Sequence, residues 1–207
     1  MSCDIYGWVE INNGKYEKVS RRKHSKKIDG WDGIINIKGL WLHNYEMFGS
    51  LFGVRNRGGF EPIANWRGLP EIISREVLED PTNLSCHAHS WIIWEEIKNI
   101  NWEETGKKWR GVDRYLQDEN NELVLIDEFL DEFSLNFEDA KVFSEYDWEK
   151  LKNGLWVEKD NILYKLEKQN RGKFLGGDWQ LLFDLMERLS IEWGEKNVRL
   201  VVWFDMP

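Results

Sequence analysis

The segment Val198–Phe204, VRLVVWF, constrains this 207-residue chain more than any other. Apart from Arg199 it is apolar at odd and even positions alike, so a strand there has no face to give to water. Such a strand belongs in the middle of a sheet, covered on both sides. Directly before it, Leu181, Leu182, Leu185, Met186 and Leu189 recur at helical spacing. The pattern predicts a helix from Asp178, its expected cap, to Trp193, with Gly194 as the stop.

The other elements follow from the same kind of reading. Residues 3–11, CDIYGWVEI, predict a strand with Cys3, Ile5, Gly7, Val9 and Ile11 on one face and Asp4, Tyr6, Trp8 and Glu10 on the other. Residues 44–52 predict a helix capped by Asn44, with Tyr45, Phe48 and Phe52 on one stripe. Gly49 inside it costs about 1 kcal/mol relative to Ala, which points to a close approach. Residues 53–70 are glycine-rich and irregular, and 71–79 form a short helix before a turn at 81–85. Residues 86–94 open as a strand and pass into a helix through 94–99. Hairpins are expected at 110–128, turning at 118–121, and at 155–167, turning at Asp160-Asn161. Residues 137–151 are weakly helical. The expected class is α+β: a single domain with a mostly antiparallel sheet and helices packed on one face. At roughly 150 residues per domain, the length fits that reading.

Charge is unevenly spread. The total is −9, with +4 over residues 1–70 and −13 over the rest. Residues 12–33 form an exposed basic loop around Arg21-Arg22-Lys23-His24-Ser25-Lys26-Lys27, and 110–167 an acidic, hairpin-rich region. The acidic total argues against non-specific nucleic-acid binding. No apolar run reaches 18 residues and no signal peptide is visible, so no membrane partner is expected. Two cysteines, Cys3 and Cys86, make no disulfide framework, and a reducing cytoplasmic setting is expected.

Three constellations are candidates for chemistry. The first interleaves Tyr45, Phe48 and Trp66 with Arg55, Asn56, Arg57 and Arg67 on glycine-rich backbone. Rings and guanidinium planes stack on a base, and arginine forks match phosphate oxygens, so these residue types suit a nucleotide-like ligand. No P-loop or G-x-G-x-x-G accompanies them. The competing reading makes the aromatics core and pairs the arginines with surface acids. The second is Cys86-His87-Ala88-His89-Ser90. On a regular strand His87 and His89 share a face, so both imidazoles could meet one metal, with Asp4 or Glu61 adding an oxygen, or one could serve as general acid/base. Two histidines are half a metal site, and Cys86 points away from them. The third is the acidic stretch 118–149, which holds twelve carboxylates and one base, Lys141. Asp127/Glu128 and Asp131/Glu132 could bind a cation or imitate phosphate spacing. The simpler reading is a solvated, half-buried pattern.

Taken together, CDIYGWVE, NYEMFGSLFGVRN, HAHSW and DWQLLFDLMERL…VRLVVWFD resemble a family of uncharacterised phage and bacterial proteins. The resemblance implies a phage or prophage accessory context and supplies no mechanism or cofactor. The expected function is a non-catalytic accessory protein that sequesters a nucleotide-like ligand, or a host defence protein, through its arginine and aromatic surface. The alternatives are a hydrolase of phosphorylated or nucleotide substrates using His87 and His89, and an acidic inhibitor of a nucleic-acid-binding protein. Oligomeric state stays open. Of 13 tryptophans, Trp66 is the one placed among arginines and glycines on an irregular loop.

Overall fold

The computed structural model describes residues 3–14, 30–108, 111–131 (side chains to 127) and 142–205. The basic run 21–27, Trp109 and residues 132–141 lie outside the described residues. The described chain is α+β, with two antiparallel four-stranded sheets. It divides into two compact units. The first comprises Met1–Asn56, Glu61–Glu103 and Arg171–Pro207, and the second Arg57–Phe60 and Glu104–Asn170.

The first unit is built on β1 (Asp4–Asn12), β2 (Trp31–Asn36), β3 (His87–Ile93) and β8 (Val198–Asp205), in the order β2-β1-β8-β3. The doubly apolar strand β8 is central, as its composition requires, and Val198 to Phe204 are all buried. Its two faces belong to different cores. Leu200, Val202 and Phe204 join α1 (Tyr45–Phe52), α4 (Trp94–Lys98) and α6 (Asp178–Trp193), whose Phe48, Phe52, Trp94, Trp179 and Leu182 complete the larger core. Val201 and Trp203 face the other way, onto Ile73, Cys86 and Val77 of α2 (Arg75–Glu79). The long helix packs on one face as expected, while the second face is closed by short helices, because β8 leaves neither side to water. Gly7 lets β1 lie close: a Cβ there would stand 2.1 Å from the Val201 carbonyl oxygen.

Several boundaries differ from the sequence reading, among them the start of α2, which begins at Arg75 rather than at 71. Trp31–Asn36 is an edge strand rather than the end of the basic loop, since pairing with β1 overrides the low strand propensity of Asp32, Gly33 and Asn36. Residues 81–85, expected as a turn, form α3 (Pro81–Ser85), with proline in its first turn and Asp80 as cap. The cap of α6 is Gly177. Asp178 is instead the first helical residue, and its carboxylate accepts the Trp41 N–H at 2.5 Å.

One charged pair sits inside this unit. Glu10 on β1 and Arg199 on β8 are direct cross-strand partners. Arg199 Nε donates to Glu10 Oε2 at 2.6 Å, its second arm donates to the Ile72 carbonyl at 2.5 Å, and the Trp31 ring lies 3.6 Å from its guanidinium. Glu10 Oε1 accepts the Ser74 N–H at 2.7 Å. Both side chains are buried. Burial pulls the Arg199 pKa down, against the opposing charge of Glu10.

The second unit holds β4 (Gly111–Gln117), β5 (Leu123–Asp131), β6 (Val157–Lys159) and β7 (Ile162–Glu167), in the order β5-β4-β7-β6. α5 (Glu145–Lys152) packs on it through Leu151, with Phe143, Tyr164 and Leu166 in a small core. Both expected hairpins are present, and Asp160 and Asn161 take the left-handed backbone of a tight turn.

Removing one member of a buried ion pair strands the other. Arg199→Ala should therefore lose about 3–5 kcal/mol of unfolding free energy in urea denaturation. The double variant Glu10→Leu/Arg199→Met should recover most of it. A single-variant loss below about 1 kcal/mol would refute this structural role.

Candidate functional site

The first unit brings together a surface that the sequence reading only partly anticipated. Residues 41–44 lead into α1 without regular secondary structure, with Trp41 and His43 exposed and Leu42 buried. Trp41 is 81% exposed. Asn44 then caps α1, accepting the N–H groups of Glu46 and Met47, and Tyr45 opens the helix. The rings form a row: Trp41 to His43 at 6.4 Å, and His43 to Tyr45 at 4.8 Å. The Arg55 guanidinium lies 4.8 Å from the Tyr45 ring and continues the row. The Tyr45 hydroxyl accepts the Cys3 N–H at 3.1 Å, which ties the row to the start of β1. His43 Nδ1 stands 3.4 Å from Asp4 Oδ1.

Beside this row is a cleft of about 200 Å³, whose lining includes Asp4, Tyr6, Lys38, Leu40, Trp41 and His43. That volume is below the 300–1,000 Å³ of sites that enclose a whole drug-sized ligand. It accommodates one ring system, with the rest of a ligand outside. Trp41 is largely open to solvent, Lys38 is in the cleft lining, and Arg55 lies beside Tyr45. Cys3, close to Arg55, is not an activated thiol: burial raises its pKa, and the Arg55 charge only partly opposes this.

Of the other residues in the first constellation, Phe48 is fully buried and stacks edge-on to Phe204 at 5.1 Å, so it is core. Asn56 is where the chain folds back on α1. A Cβ on Gly49 would lie 2.6 Å from the Asn56 Cα, which is the close approach expected of that glycine. Arg67 is saturated by structural partners. It meets Glu96 in a two-armed pair at 2.9 and 2.6 Å and donates to the carbonyls of Ile63 and Trp91. Its guanidinium also lies 5.1 Å from the Trp91 ring. Trp66 is 52% exposed on left-handed backbone, and Arg57 belongs to the second unit. The glycine-rich loop is held by the buried Arg171, which donates to the carbonyls of Ser50 and Glu61.

The histidine pair is split by a bulge. His87 is in register with Phe204 and Ser90 with Val202, so three residues of β3 span two of β8, and Ala88 takes a positive φ. The His89 ring instead lies 6.3 Å from Trp203, whose side chain faces the smaller core. The two-residue spacing therefore does not deliver the shared face that a regular strand would provide. His89 Nε2 donates to the Asn83 carbonyl at 3.1 Å, with Asn83 Oδ1 also 2.9 Å away, which commits that nitrogen. Ser90 Oγ donates to the Ala64 carbonyl. Burial raises the pKa of Cys86. Among the described residues no group of three or more His, Cys, Asp or Glu side chains is placed to hold a metal ion.

In the acidic region Asp127 is bound by both arms of Arg114, and Asp118 is consumed by its own turn, accepting the N–H groups of Asn120 and Glu122. Glu119 and Glu122 are exposed. Glu132 lies outside the described residues.

No family model, no curated protein and no solved structure matches this chain. Among the described residues no helix is long and apolar enough to cross a membrane. The Trp41 cleft therefore stands on its own geometry. Its residues were missed because Trp41, His43 and Asp4 match no motif. The one local signal was the Asn44 cap, which fixes where the segment carrying Trp41 and His43 enters α1.

Two predictions separate scaffold from surface. Gly49→Ala should destabilise the protein by about 1–3 kcal/mol, read by urea denaturation, because the Asn56 backbone has to move. Burial pushes the Glu96 carboxyl up, but the Arg67 and Ile93 hydrogen bonds outweigh it and hold its pKa below the usual value. That stabilisation is present above the ordinary carboxylate pKa and is lost as pH falls through the lowered one. Arg67→Ala should therefore lower stability at pH 7 by about 1.5–3 kcal/mol and flatten the acid side of the stability profile. An unchanged acid slope would contradict the assignment.

Proposed function

We propose that this protein is a binding protein that captures a nucleotide-like ligand, with one ring on Trp41 in the cleft and the anionic part toward Lys38. The observation that carries this reading is an 81%-exposed indole at the mouth of a ring-sized cleft with a lysine in its lining. An apolar ring of that size, exposed to water and backed by a rigid helix cap, offers stacking at little conformational cost. Tyr45 and Arg55, singled out from the sequence, extend the same surface.

Base stacking on an aromatic side chain contributes about 1–3 kcal/mol. Trp41→Ala should thus weaken nucleotide binding by roughly tenfold or more and leave the melting temperature nearly unchanged, since the side chain is exposed. Tryptophan fluorescence titrated with purine and pyrimidine mononucleotides reads the first, and thermal denaturation the second. Absence of any quenching or thermal shift at millimolar nucleotide would remove the reading. Conversion of a bound nucleotide, lost in His43→Ala, would replace it with a catalytic one.

A further inference from the structure

Among the described residues, the strand with the longest run of exposed aliphatic side chains is at a sheet edge. Leu123, Val124, Leu125 and Ile126 of β5 are consecutive aliphatics, between 43% and 52% exposed. Within the described residues β5 pairs only with β4 and forms the outer edge of the second sheet. Such an edge presents unpaired backbone N–H and C=O groups, and proteins ordinarily blunt it with charge, bulges or cover. Here both bulges lie toward the C-terminal end: Phe129 and Ile126, the last residue of the run, are the extra residues, and 123–125 pair regularly with Gln117, Leu116 and Tyr115. The aliphatic run itself carries no charge.

The arrangement specifies how it can be covered. Successive side chains of a strand point to opposite faces, so Val124 lies beside Leu116 on one face while Leu123 and Leu125 lie on the other. Leu116 is 45% exposed as well. A helix or flat surface laid on one face would leave the other wet. A strand added in the plane of the sheet covers both and also satisfies the edge backbone. Charge decides which strand. The run is bracketed by Glu122 and Asp127, with Glu119 exposed at the turn. A second copy of this chain would bring these carboxylates together, whereas a basic segment would meet them with opposite charge.

We propose that β5 is a docking edge for an extended segment of a partner protein in which short aliphatic residues alternate with lysine or arginine. The partner strand adds beside Leu123–Ile126: its aliphatics cover Leu123 and Leu125 on one face, and on the other the lysine or arginine stems lie along Val124 with their charges toward Glu122 and Glu119. This interaction is independent of the Trp41 cleft.

The test uses three labelled octapeptides in fluorescence anisotropy with the full chain: (Val-Lys)4, (Val-Glu)4 and (Pro-Lys)4. The proline peptide keeps the cationic charge and has half the backbone donors. Binding of (Val-Lys)4 at least tenfold tighter than either of the others is expected, with a further tenfold loss in Leu125→Lys, a half-exposed position. Equal affinity for (Val-Lys)4 and (Pro-Lys)4 would overturn the proposal, because charge alone would account for it. Equal affinity for (Val-Glu)4 would overturn the charge selection. A concentration-dependent dimer in sedimentation that Leu125→Lys dissolves would assign the edge to a second copy instead. The peptide comparison needs no variant, so it stands even if Leu125→Lys unfolds.

Discussion

The buried pair of Glu10 and Arg199 holds the first unit in one arrangement. It joins β1 to β8 directly across the ladder, and its spare hydrogen-bonding positions bind the backbone at Ile72 and Ser74. That segment leads into α2, which closes the second face of the sheet. A buried ion pair adds little to net stability over an apolar pair of the same shape, but it is intolerant of misalignment. Here it ties β1, β8 and the backbone at Ile72 and Ser74 together at one point. With β1 fixed against β8, Asp4 and Ile5 are placed beside residues 38–43, and the Trp41 cleft is the consequence.

The aromatics divide along the same lines. Trp179 and Trp203 are buried and donate to the Leu42 carbonyl and to Thr82 Oγ1. Trp8 is half-buried and donates to Asp80. These indoles bring large apolar area into the core while their N–H groups tie down the loops that would otherwise be loosest. The acceptor of Trp179, Leu42, is the inward residue between Trp41 and His43. A core tryptophan thereby steadies the strip that displays a surface one. The exposed edge β5 follows a different logic, since its unit has a core of only a few side chains and α5 as its one described helix.

Much of the scaffold was legible in the residues. The α6–β8 pair, the faces of β1, the Asn44 cap, the close approach at Gly49 and both hairpins follow from periodicity, caps and turn residues acting locally. The candidate site was legible only in part. Tyr45 and Arg55 were identified by residue type, but the same criterion also selected Phe48, which the core claims, and Arg67, which Glu96 claims. Nothing in residue type distinguishes an arginine that lies beside a surface ring from one that finds a carboxylate 29 positions away. The histidine pair shows the same limit, because one extra residue at Ala88 cancels a two-residue spacing.

By itself, then, the sequence determined the α+β class, the central place of Val198–Phe204 and the positions of most elements, because each depends on interactions within a few residues along the chain. The tertiary structure alone decided that Glu10 is buried against Arg199, that Trp41, His43 and Asp4 share one surface, and that Leu123–Ile126 lies at an open edge. Those outcomes depend on which distant segments pair and in which register, and register is settled by the summed packing of both faces of β8 rather than by any residue read locally.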